Sequence, residues 1–524
     1  MNKVYRKLFV HYQIQILIHM KTVHIFFLII PITFLSCQFK ISNVGEAKAN
    51  FNEQHRLQYH FSPKEMWMND PNGMVYYDGE YHLFFQHTPH SSTPDFPKMH
   101  WGHAVSTDLL HWEELSPAIA PDEHGAIFSG SVVVDHNNTA GLQSGNEKTL
   151  ISIFTYSPAN GIQSEGMAYS NDRGRTWIKY KNNPVLQNQG IADFRDPKVF
   201  WYERGKKWIM TLAVKDHVEL YSSLNLKSWT KESEFGQSIG AHGGVWECPD
   251  LFLLSDDKGV EKWVMLVSIN PGGPNGGSGT QYFVGNFDGQ KFTSEHSDSR
   301  WLDYGPDNYA GVTWSNVEGR KLFLGWMSNW EYCQVVPTNK WRGAMTVPRT
   351  LGLVKIGSQM YVTSKPVSEL GNLHKNKKSK KELALNSSVS LSEMYDIHSS
   401  KFDLSFSIEN KPFKIKLSNN KGEYVLVGYD LGSREFYVDR TQAGKTDFNN
   451  VFGKRNTSKR ISNDNNIKIR LLADVSSVEL FADEGEVVMT SLFFPNSDFT
   501  HLEILAENKV TLKNIEINEM KSIW

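Results

Sequence analysis

The chain has 524 residues, a net charge of -2 and 21% charged side chains. That balance excludes nucleic-acid binding through bulk positive charge, and the length allows roughly two to four domains, or fewer if they are large all-β units. The three cysteines, Cys37, Cys248 and Cys333, form no C-x-x-C pair, which excludes a disulfide framework and a zinc or redox motif of that kind.

In chain order, the first feature begins at Met20, where the sequence reads MKTVHIFFLIIPITFLSC. Lys21 leads into an apolar run over residues 25–35, too short to span a bilayer comfortably and built like a signal-peptide core. The run ends at Leu35-Ser36-Cys37, which resembles a bacterial lipoprotein cleavage box with Cys37 as the lipidated residue. Phe34 departs from such a box, and ordinary secretion is the alternative. Residues 1–19 read as an upstream extension and 38–53 as a polar tether. The expected location is outside the cytoplasm, lipid-anchored at a bacterial envelope or else periplasmic or secreted.

The stretch WMNDPNG, residues 67–73, crowds turn-forming residues ahead of the strand-like run 74–77. It places Asp70 on a tight bend at the mouth of a strand; taken alone, the same residues equally cap a hairpin. From 54 to 357, short apolar-aromatic runs alternate with Gly, Pro, Asn and Asp turns, which predicts an all-β region. A weak repeat runs through it. The aromatics closing its copies are Trp112, Trp177, Trp229 and Phe292, 65, 52 and 63 residues apart. Radial repetition of this kind predicts a β-propeller, with five blades fitting the length; a continuous sandwich is the alternative. Residues 358–384, with Lys375, Lys377, Lys378, Lys380 and Lys381, show no strand alternation and read as a solvated linker. Closely spaced short strands then predict a β-sandwich over 385–524.

Three acidic residues precede apolar strands: Asp70, Asp196 in Phe194-Arg195-Asp196-Pro197, and Glu247 in Trp246-Glu247-Cys248-Pro249-Asp250. In a propeller, the first strand of each blade runs near the axis, so all three would point into one end of the funnel. Glycoside hydrolysis needs two carboxyl groups, one to attack or activate water and one to protonate the leaving oxygen. Glu247, flanked by Trp246 and Cys248, suits the acid; Asp70, among amides, suits the ionised nucleophile. Arg195 is expected to keep Asp196 charged. Elsewhere, residues 272–279 are glycine-rich but lack the Lys-Ser/Thr of a phosphate loop, and His100, His103 and His111 match no zinc spacing, so no metal is expected.

WMNDPNG, FSGS at 128–131, FRDP at 194–197 and WECPD at 246–250, in this order, resemble glycoside hydrolase family 32, the family of invertases, inulinases and levanases. WGHA at 101–104, the glycine-rich 269–278 and DYGPDNYA at 303–310 add to the likeness. The resemblance implies a five-bladed β-propeller with an appended β-sandwich, and retaining hydrolysis of β-D-fructofuranosides without a cofactor. It implies Asp70 as nucleophile, Glu247 as general acid and base, and Asp196 as a binder of fructosyl hydroxyls. It also implies that Trp67, Met68, Asn69, Gln86, Phe128, Ser129, Arg195 and Trp326 lie at the substrate. One departure stands out: the family usually carries Trp five residues before the Trp of WGHA, where this chain has Phe96. A smaller aromatic there either opens the site to polymer, allowing cleavage inside chains, or replaces Trp as a stacking face. The expected partner is a fructan, levan or inulin, with sucrose the alternative substrate. A non-catalytic fructan-binding protein is disfavoured by the intact carboxylates. No feature sets an oligomeric state.

Overall fold

The computed structural model describes residues 50–524; Cys37 and the export segment lie outside them. Among the described residues, five sheets follow one another, each built mainly from antiparallel strands close in sequence. Their first strands are Met66–Tyr77, Ala126–Asp135, Phe194–Tyr202, Val245–Ser255 and Tyr309–Thr313. Together they build a β-propeller, closed where Trp341 and Arg342 pair in parallel with Met66 and Trp67. A β-sandwich of two six-stranded sheets follows, packed around Phe402, Leu404, Val427, Leu471 and Ile517. No helix among these residues is long and apolar enough to cross a membrane.

The repeat is visible as a turn. The Trp112, Trp177 and Trp229 indoles donate to the carbonyls of Leu109, Gly174 and Leu226 at 3.1, 3.1 and 3.2 Å. The Oδ1 atoms of Asp108, Asp172 and Asn225 accept backbone amides at the same turns, and Asp288 does so at the Phe292 copy, at 2.7–3.0 Å. Side chains that mimic a backbone turn are why these Asp and Asn residues recur.

Two boundaries differ from expectation. Residues 358–384 are not a linker: Gln359–Pro366 completes the fifth sheet, and His374–Leu385 is a twelve-residue strand at the edge of the sandwich. That strand exposes almost every side chain on both faces, so it lacks the alternation that reveals a half-buried strand. At the other end, the Phe51 ring stacks on Trp524 at 3.9 Å, so packed structure begins before residue 54.

What positions the site is a shared irregularity. In all five inner strands, two residues oppose one on the neighbouring strand, at Asn69-Asp70, Phe128-Ser129, Asp196-Pro197, Cys248-Pro249 and Ala310-Gly311. Bulges re-aim side chains that a regular pleat would alternate from face to face. Asp196, Cys248 and Ala310 accordingly take left-handed backbone angles, with φ of +66°, +47° and +53°.

Candidate active site

Asp70, Asp196 and Glu247 line one cavity of about 350 Å³, together with Asn69, Gln86, Phe96, Phe128, Ser129 and Arg195. Asn69 Nδ2 and Ser129 Oγ donate to the two oxygens of Asp70 at 2.8 and 2.9 Å. Trp67 Nε1 in turn donates to Asn69 Oδ1 at 2.6 Å, which orients that amide. Burial pushes the Asp70 carboxyl up, the nearby Glu247 charge adds to this, and the two hydrogen bonds oppose it, leaving it at about 6. Asp70 therefore remains largely ionised at neutral pH.

Two electrostatic expectations are corrected. Arg195 does not chiefly serve Asp196: its Nε and Nη2 donate to Glu247 Oε1 at 3.1 and 2.9 Å, while Asp196 Oδ2 lies 3.9 Å away. Burial outweighs the guanidinium, with the Glu247 and Asp70 charges adding, and the Asp196 carboxyl is pushed up. Glu247, in turn, is not enclosed by its apolar chain neighbours. The Trp246 ring packs in a separate apolar cluster and donates to the Ala241 carbonyl at 2.9 Å. Glu247 meets Arg195 on one oxygen and the Tyr309 hydroxyl on the other. Burial lowers the tendency of Arg195 to hold its proton, but Glu247, Asp196 and Asp193 outweigh that.

The wall is aromatic. Phe96 is 44% exposed, and its ring sits 6.1 Å from both Phe128 and Trp330, so the three rings cluster on one side of the cavity. The Gln86 amide, oriented to satisfy both its atoms, donates to the Ile127 carbonyl and accepts from the Ser129 N–H, each at 3.1 Å. Trp67, Met68 and Trp326, expected at the substrate, are fully buried behind the lining, with Trp67 and Trp326 packed against Trp330 at 6.0 and 5.1 Å. They brace the wall.

Sequence reasoning missed Tyr309, Gln163, Asp193, Asn270 and Trp330. Tyr309 had a usable signal, because it stands directly before the bulge of the fifth sheet's first strand, as Glu247 does in the fourth. Trp330 sits in a loop after its strand, and its place depends on the fold alone. Cys248 also enters the site: its Sγ lies 3.7 Å from both Asp70 Oδ2 and Asp196 Oδ2, and burial beside those carboxylates pushes its thiol well up. The three histidines considered as metal ligands have separate partners: His103 Nε2 meets His82 at 3.0 Å, His111 meets Asp108 at 2.8 Å, and His100 meets the Lys98 carbonyl at 2.8 Å.

The family profile for the glycosyl hydrolases family 32 N-terminal domain matches residues 60–366, and that for the family 32 C terminal matches 369–519. A levanase of Bacillus subtilis is 46% identical over 489 residues, covering 90% of this chain and 72% of the relative. An extracellular exo-inulinase of Aspergillus niger is 36% identical over 519 residues, covering 91% and 96%. The crystal structure of an exo-inulinase from Aspergillus awamori superposes with a TM-score of 0.84 at 35% identity, covering 91% of this chain and all of that one. A propeller with three carboxylates at the base of one cavity, followed by a sandwich, is the frame of a glycosidase. The chain belongs to glycosyl hydrolase family 32.

Proposed function

We propose that the protein is a retaining β-fructofuranosidase that releases fructose from the ends of fructans, levan ahead of inulin. One observation carries the reading: Asp70, Asp196 and Glu247 share a single cavity lined by the clustered rings of Phe96, Phe128 and Trp330. A cluster of three rings suits a terminal sugar held by stacking, and it supports Phe96 as a stacking face over Phe96 as an opening. The levanase and exo-inulinase relatives support the substrate class, and the extracellular relative supports export. A lipid anchor at Cys37 remains part of the proposal.

In the first step, an Asp70 oxygen attacks the anomeric carbon of the terminal fructosyl unit, and the bond to the leaving oxygen breaks as Glu247 gives it a proton. In the second, Glu247 takes a proton from water, the water oxygen attacks the same carbon, and Asp70 leaves as a carboxylate. Asp196 receives fructosyl hydroxyls and favours positive charge on the ring. Ser129 and Asn69 hold Asp70 in line, and Arg195 and Tyr309 hold Glu247.

Early products from levan, inulin and sucrose, separated by chromatography, test the reading. Fructose alone from a fructan is expected. A ladder of oligosaccharides would overturn chain-end action, fast turnover of sucrose alone would make the protein an invertase, and no hydrolysis of any would overturn the activity. Glu247→Ala should slow natural fructans far more than a fructoside with an acidic leaving group, because only the former need the proton. Equal losses on both would remove Glu247 from the acid role.

A further inference from the structure

Thr155 holds in the second sheet the place that Gln86 holds in the first: each is the single residue facing a two-residue bulge. Each also reaches to the bulge of the next sheet. Gln86 accepts the Ser129 N–H at 3.1 Å, and Thr155 Oγ1 accepts the Asp196 N–H at 2.9 Å. Ser268 does the same for the Ala310 N–H at 3.1 Å. Asp196 needs such a partner, because its amide falls outside the pairing of its own strand and its φ is +66°.

Thr155 can accept that amide in a fixed direction only if its own proton is committed elsewhere. It donates to Glu165 Oε2 at 2.8 Å. Glu165 is fully buried, and its second oxygen has no partner. The charged groups facing it are Asp196 and Arg195, and burial pushes its carboxyl well up. Two residues earlier, just before the Glu165 strand, Gln163 Oε1 accepts the Phe194 N–H at 3.1 Å, so both amides flanking Arg195 are held from the second sheet and its connection.

We propose that Thr155 and Glu165 are positioning residues for Asp196: a chain from the Asp196 amide through the Thr155 hydroxyl to the Glu165 carboxyl holds the left-handed backbone that aims the Asp196 carboxylate into the cavity. This rests on the reading of Asp196 as the sugar-binding carboxylate. Neither residue touches the substrate. Gln86, placed equivalently, reaches the cavity itself; Thr155 acts one sheet further round, through the backbone.

Steady-state kinetics on levan test it, with Asp196→Asn as the reference. Thr155→Val keeps the shape and removes the hydroxyl. It should lose about 100-fold, the scale set by misplacing a reacting group, with the same division between kcat and KM as Asp196→Asn. Thr155→Ser should recover to within about threefold, since it keeps the hydroxyl. Glu165→Gln, which still offers a carbonyl acceptor, should also recover to within about threefold and keep the pH profile, whereas Glu165→Ala should fall with Thr155→Val. If Asp196→Asn is inactive but Thr155→Val is not impaired, positioning is overturned and the role of Asp196 stands. Full activity in Asp196→Asn overturns both. Should Thr155→Val not fold, equal rates for Glu165→Gln and Glu165→Ala would still overturn the proposal.

Discussion

In the proposed mechanism Asp70 is the attacking carboxylate, and its setting bears on both direction and stability. Its two oxygens accept from Asn69 and Ser129, so its direction is set before substrate arrives. Asp70→Asn should keep the fold and lose at least about a thousandfold in kcat, the size of effect seen when a covalent nucleophile is removed. Near-normal turnover on any fructan would end the assignment. A second consequence follows from its raised carboxyl. With the folded value at about 6 and the ordinary value at 3.8, the native state holds a proton that the unfolded chain releases between those limits. The native state therefore loses stability as pH rises through that window. Asp70→Asn removes this titration, so its melting temperature should gain on the wild type between pH 4 and pH 7. A difference that stays constant across that range would show that Asp70 is not held up by the fold.

At the scale of the element, the bulges and the edges carry the argument. Neighbours in a regular pleat face opposite ways, which is why Trp246 supports a core while Glu247, still in register just before the bulge at Cys248-Pro249, meets Arg195 and Tyr309. The motifs FRDP and WECPD were legible because Pro and turn residues interrupt an apolar strand at the bulge. Tyr309 was not singled out because its bulge falls at Ala310-Gly311, with no charged residue to mark it. The strand His374–Leu385 was misread for the opposite reason, since its lysines hide a real strand. On a sheet edge, such charges block pairing with another chain. Replacing Lys378 and Lys380 together by Val should raise self-association in light scattering while leaving kcat/KM on levan unchanged. A variant as monodisperse as the wild type would remove the blocking role.

Across the whole molecule, the propeller and sandwich are joined by buried charge. Arg349 Nη1 donates to Asp303 at 2.9 Å and Nη2 to Glu479 and Thr490, while His60 bridges Asp474 and Glu479 at 2.8 Å on each side. Both Arg349 and Glu479 are fully buried. Arg349→Leu leaves Asp303 and Glu479 short of a counter-charge, and such a loss costs about 3–5 kcal/mol. The expected outcome is a lower denaturation midpoint, with Arg349→Lys a poor rescue because one ammonium cannot match the forked guanidinium. An unchanged midpoint would mean that the junction does not depend on this network.

By itself, the sequence determined the class of fold and the repeat and marked the three acids that share one cavity, because each has a local cause: alternating apolar runs, Asp and Asn at turns, and acids set in strand-breaking contexts. It could not decide which groups surround those acids. Arg195 turning to Glu247, Tyr309 capping it, Thr155 holding the amide of Asp196, and Trp67 and Trp326 standing behind the wall all join residues from different sheets. Electrostatic environment depends on distance in space and on burial, and only the closed ring of sheets supplies either.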